Sequence, residues 1–164
     1  MSPSKCSCED IAHGPCGLIE QDERLGRLLY FPDHVRSDFT PKPGAFPISH
    51  IKDKGLSLVR VNRLDDKAFV AFASALANQS ADRTWFGHVE FGVNVARAMT
   101  DEDGIRMVCL FEDPTGQHTN IPENPAHATL ISASHPMSEA DAKEVRAELV
   151  RNGVVKVASG RGAT

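Results

Sequence analysis

Apolar residues along the chain fall into short alternating runs, interrupted by two stretches whose spacing is helical. "GRLLYF" (Gly26 to Phe31) is an apolar run stopped by Pro32 and reads as a strand. "GLSLVRV" (55–61) alternates, with Leu56, Leu58 and Arg60 on one side and Ser57, Val59 and Val61 on the other. In "DDKAFVAFASALANQ", Phe69, Val70, Phe72, Ala73, Leu76 and Ala77 recur at helical spacing behind Asp65 or Asp66 as N-cap, which predicts an amphipathic helix. "TWFGHVEFGVNVARAM" sets Trp85, Val89, Phe91, Val93, Val95 and Met99 at odd positions against His88, Glu90 and Asn94. This predicts one long strand, with Gly87 and Gly92 as candidate bulges. "TDEDG" then turns the chain into "IRMVCLFED", a strand buried on both faces, so that residues 84–112 form a two-stranded ribbon.

"AHATLISA" adds a short strand and "VVKVAS" an edge strand. Between them "MSEADAKEVRAELVRNG" is a helix, opened by Ser138 with Asp141 in an approximate capping box and stopped at Asn152-Gly153. The expected fold is therefore α+β: a mostly antiparallel sheet of five or six strands packed by two helices. It occupies residues 25–158, after an irregular arm (1–24) and before a short tail (159–164). The segment from Pro32 to Gly55 carries four of the ten prolines and reads as a long loop of the kind that is often functional.

Bulk properties narrow the function classes. The 164 residues suit one domain, and 41% hydrophobic with 24% charged residues is ordinary for a globular chain. A net charge of -4 argues against general nucleic-acid binding. The opening "MSPSKCSCED" does not resemble a signal peptide, and no run approaches the ~18 apolar residues of a membrane span. The reducing cytoplasm is the expected compartment, and structural disulfides are rare there.

That expectation turns attention to "CSCEDIAHGPC", where Cys6, Cys8, His13 and Cys16 could hold a structural zinc ion as a Cys₃His set. The C-x-C bite is tighter than the usual C-x₂₋₄-C. A fourth ligand from elsewhere, such as His34, is an equal alternative, and an arm with incidental thiols is the plainer one. Cys109, inside the strand after the turn, is expected to be an inert core thiol.

His127 in "PAHATLIS" matches half of the paired H-x-[ST] signature of two-histidine phosphoesterases, but no second copy exists in the chain and the match is taken as chance. His34, His50, Ser57, Arg60 and Arg63 flank the proline-rich loop and the following strand. Arginine binds phosphate or carboxylate bidentately and histidine titrates near neutral pH. The set is compatible with a small enzyme acting on a nucleotide or other phosphorylated substrate, with His34, His50 and Ser57 catalytic and Arg60, Arg63 and His127 binding the ligand. The plainer reading pairs Arg60 and Arg63 with acids such as Asp65. No P-loop, dinucleotide fingerprint, zinc-protease motif, nucleophile elbow or EF-hand loop is present. The favoured reading is an accessory or protein-binding module, with a protein partner or a second copy of itself and zinc as a candidate cofactor.

Overall fold

The computed structural model describes residues 6–117, 120–134 and 137–158; the expected tail (159–164), His118 and His135 lie outside them. Six strands form one antiparallel sheet: β1 (Arg24–Phe31), β2 (Leu56–Arg60), β3 (Thr84–Gly92), β4 (Val108–Glu112), β5 (His127–Ser132) and β6 (Val154–Val157). Their order across the sheet is β4-β5-β2-β1-β3-β6. Three α-helices accompany them: α1 (Asp66–Ala77), α2 (Val93–Arg97) and α3 (Glu139–Asn152). The α+β expectation is correct.

Both long helices start where the sequence places their caps. The Asp65 carboxylate accepts from the Ala68 amide at 2.8 Å, and the Ser138 hydroxyl accepts from the Asp141 amide at 3.0 Å. Each satisfies an amide that the first turn leaves without a partner. The helices cover opposite faces of the sheet. On one, α2, α3 and a short turn at His50–Lys54 bury Val93, Val145, Leu149 and Ile51 against Leu25, Leu58, Phe91 and Leu130. On the other, α1 buries Phe69, Phe72, Ala73 and Ala77 against Leu28, Tyr30 and Val59.

The expected ribbon over residues 84–112 is corrected. β3 pairs with β1 and β6, whereas among the described residues β4 pairs only with β5 and forms the far edge. The strand pattern in "GVNVARAM" conceals a short helix, because the buried residues Val93, Ala96 and Met99 recur every third position. The "TDEDG" turn does form, closed by Gly104 N–H to Asp101 O at 3.0 Å, but it lies between α2 and β4. Gly87 is the bulge. The β1–β3 register shifts there, and Phe86 and Val89 enter the same core although they are three residues apart. The site demands glycine, since a Cβ would collide with the Lys156 carbonyl of β6.

From Cys6 onward the arm is not a loose appendage. Cys6 and Ile19 are buried, and Cys6 is disulfide-bonded to Cys109 on β4, so the expected inert thiol is a bridge. Glu9 pairs with Arg97 at 2.8 Å and Arg106 at 2.5 Å. Among the described residues, no helix is long and apolar enough to cross a membrane.

Candidate functional site

The charged residues on β1 and β2 organise two different places. The first is a buried ion cluster at the Arg60 end of β2. Arg60 is fully buried, and its guanidinium meets Glu23 at 2.9 Å and Glu112 at 3.3 Å. It also donates to the carbonyls of Gly17 (2.7 Å) and Leu18 (3.1 Å) in the arm. Arg63 reaches Glu23 at 2.9 Å, and Glu112 accepts from the amides of His13 (2.9 Å) and Gly14 (2.7 Å). Burial raises the Glu23 carboxyl, but hydrogen bonds from Arg60, the Glu20 amide and Arg63 outweigh it and hold the group below the usual carboxylate range. Every donor on Arg60 is used, and the cluster's two cations balance its two anions. Arg60, expected to bind ligand, is instead spent inside this cluster; its acids are Glu23 and Glu112, and that of Arg63 is Glu23, rather than Asp65. The cluster staples the arm to the sheet.

The second place is a cavity of about 310 Å³ under the α1 face. β1 and β2 are paired only at Leu25–Arg60 and Gly26–Val59; beyond that the side chain of Arg27 bridges them. Arg27 Nε donates to Ala45 O at 2.7 Å, and one terminal nitrogen donates to Ser57 O at 3.0 Å. The walls are mostly apolar, with Leu28 and Val59 from the sheet, Phe72 and Leu76 from α1, and Ile121 from the loop after β4. Thr115 of that loop also lines the space, and its segment is closed by the Thr115–Asn124 bridge.

Polar groups converge on this apolar chamber. Tyr30 lines it beneath Arg83, whose guanidinium lies 4.5 Å from the ring centroid. Arg83 is fixed by the last carbonyls of α1, Leu76 O at 2.6 Å and Ala77 O at 3.2 Å. Ser57 and His127 complete the rim from β2 and β5. The paired registers Ser57–Thr129 and Val59–His127 put these side chains on one face. His127 Nδ1 lies 2.7 Å from the Asp113 carbonyl, and Thr129 Oγ1 donates to the Asp113 carboxylate at 2.7 Å.

The electrostatics of the chamber are one-sided. Among the described residues no carboxylate pairs with Arg27 or Arg83. Burial pushes the Arg27 guanidinium down to about 10, and burial likewise pushes the Tyr30 phenol up to about 12. Burial, with Arg27 second, brings His34 down to about 4, and burial followed by Arg27 lowers His50. Burial lowers His127 as well, against the opposing pull of Asp113. At neutral pH the chamber holds two guanidinium cations and the neutral imidazole of His127, a field that favours an anion.

The predicted site residues are thus dispersed. Ser57 and His127 share the cavity, and His34 borders it, its ring 5.5 Å from that of Tyr30. His34 Nδ1 is already occupied by the Tyr30 amide at 3.2 Å. His50 stands outside, at the start of its own turn. The four predicted metal ligands are not assembled. Cys6 is spent in the disulfide, Cys8 and Cys16 are free thiols, and His13 Nε2 lies 3.0 Å from the Cys8 carbonyl. Among the described residues the Cys, His and acidic side chains close enough to share an ion are Cys6, Glu9 and Cys109. With Cys6 and Cys109 bonded to each other and Glu9 held by two arginines, that group offers no free thiolate.

Arg27 and Arg83 were absent from the sequence prediction. Arg27 carried a signal all the same: a charge between Leu25 and Leu29, in the core phase of a strand that otherwise reads as apolar. Arg83 carried none, because it follows the helix in "NQSADRT" like any surface residue. Compared with protein-family models, curated proteins and solved structures, the chain matches none.

Proposed function

We propose that the protein is a small-molecule-binding module whose ligand is a compact organic anion with an apolar body. One observation carries the reading: Arg27, held by two carbonyls and by no carboxylate among the described residues, stands in the wall of a mostly apolar cavity. An arginine so placed is incompletely compensated, and an acid group entering the cavity supplies the missing charge-assisted bonds. The volume, at the lower end for ligand pockets, fits a single ring or a short chain. This keeps the accessory-module expectation and gives it a ligand in place of a protein partner. It is preferred to the catalytic alternative because His34 Nδ1 is engaged by backbone and His50 lies outside the cavity.

Titration calorimetry with cinnamate and octanoate tests the reading, with cinnamamide as the neutral control. The expected result is binding of the acids and not the amide, with Arg27→Gln weakening both acids by roughly 10- to 100-fold, the worth of a charged hydrogen bond. Thermal melting of the same protein should rise with either acid, since a ligand selective for the folded state stabilises it. Equal binding of cinnamate and cinnamamide, or no binding of any acid, overturns the proposal.

A further inference from the structure

We infer that the ligand of this cavity carries, at the end away from its acid group, a hydroxyl that donates to Nε2 of His127. The inference rests on the anion-site reading and specifies what the other end of the molecule must offer. A backbone carbonyl can only accept, so the 2.7 Å contact from His127 to Asp113 O places the ring proton on Nδ1. In the neutral ring Nε2 then presents a lone pair and nothing else. Asp113, which sets this tautomer, is itself anchored by Thr129 Oγ1 at 2.7 Å, and its carboxylate lies 4.0 Å from the same Nδ1. Nε2 has no partner among the described residues, yet it is not one of their sealed, unsatisfied buried atoms. The side chain that carries it lines the cavity.

Placement across the sheet supplies the distance. Arg27 lies on β1 and His127 on β5, with β2 between them. The Arg27 guanidinium itself reaches the Ser57 carbonyl on β2, one strand spacing (~5 Å) from β5, so an acid on Arg27 and a donor on Nε2 belong at opposite ends of one ligand. A ligand that ends in a methyl or bare ring edge strips water from Nε2 and leaves it unpaired. A terminal hydroxyl restores the bond, and sites built this way discriminate strongly against the analogue that lacks it.

The probes are cinnamate and 4-hydroxycinnamate, titrated into the wild-type chain, Arg27→Gln and His127→Phe. The expected result is at least tenfold tighter binding of 4-hydroxycinnamate to the wild type, an advantage lost in H127F while cinnamate affinity is kept. Equal affinity of the two acids, both weakened by R27Q, overturns this inference and leaves the anion site standing. An advantage that persists in H127F overturns it too, and failure of both acids to bind removes the two readings together. Should H127F not fold, the imidazole ¹⁵N spectrum of the wild type decides. The His127 Nε2 resonance should move with 4-hydroxycinnamate and not with cinnamate, and an unmoved resonance refutes the assignment.

Discussion

Replacing Arg60 with methionine isolates the ion cluster at the base of the sheet. The substitution keeps an unbranched apolar stem while deleting a guanidinium that is fully buried. Glu23 and Glu112, 4% and 2% exposed, are then left with Arg63 as the nearby cation, and the Gly17 and Leu18 carbonyls lose their donor. Breaking a buried pair from one side costs about 3–5 kcal/mol, because an uncompensated charge remains. That is a large fraction of the ~5–15 kcal/mol that holds a domain folded. At an m-value near 2 kcal/mol/M, the urea midpoint should fall by roughly 1.5–2.5 M at pH 7.

The pH dependence separates this cause from lost packing. In the wild type Glu23 titrates below its ordinary value, so its contribution is present above the unfolded pKa and is lost as pH falls through the folded one. In R60M burial acts on Glu23 without its main counterweight, so the carboxyl takes up a proton more readily. The gap between the two proteins should therefore narrow as pH falls from 7 towards 4. Circular dichroism followed through urea titrations at both pH values, under non-reducing conditions, gives the comparison. A gap under about 1 kcal/mol at pH 7, or one that widens in acid, refutes the account of Arg60 as the charge that holds arm and sheet together. Arg63→Met, at the exposed end of the cluster, should produce only a small part of the same loss.

Four further outcomes are accessible. Gly87→Ala forces a Cβ against the Lys156 carbonyl, and overpacking of this kind costs about 1–3 kcal/mol, or roughly 2–12 °C in melting temperature for a chain of this size; an unchanged melting curve contradicts the close approach of β3 and β6. Denatured without reductant, the protein should titrate as two thiols, Cys8 and Cys16, and as four after reduction. Opening a bridge between residues 103 apart should lower stability by about 4–5 kcal/mol on the chain-entropy account, read by thermal melting with and without dithiothreitol. The His34 ring should stay neutral until about pH 4 when its ¹³C or ¹⁵N resonances are followed. Because the folded value lies below the unfolded one, His34 works against folding as pH drops from about 6.5 towards 4, and a midpoint near 6.5 contradicts its burial beside Arg27.

Local rules read much of this fold from the chain. α1 and α3 declared themselves by apolar spacing behind Asp65 and Ser138, and β1, β2, β5 and β6 by short apolar runs between turn residues. The 84–112 ribbon does not form because adjacency in sequence is not pairing in space. Val93, Val95 and Met99 satisfy a two-residue repeat, and only burial shows that Val93, Ala96 and Met99 are the set that matters. The site was less legible for a related reason. Arg27, Arg60 and Glu112 all occupy core positions of strands, where a charge is costly unless something compensates it. The sequence shows that such a charge exists but not its partner. For Arg60 the partners lie 37 and 52 residues away, and Arg27 is paired with no carboxylate among the described residues, only with the Ala45 and Ser57 carbonyls. The cysteines misled in the same way, since proximity along "CSCEDIAHGPC" suggested a shared ion while Cys6 was destined for a strand 103 residues downstream.

The seat of β5 between β2 and β4 has an architectural consequence. Everything from the arm to β4 precedes it in the chain, yet among the described residues β4 has no other strand to lean on. β5 is the keystone: a nascent chain ending before residue 127 owns both halves of the bridge without the strand that brings one half alongside the sheet. β5 thus seats the strand that carries Cys109 and, through the bridge, ties Cys6 of the arm to the sheet.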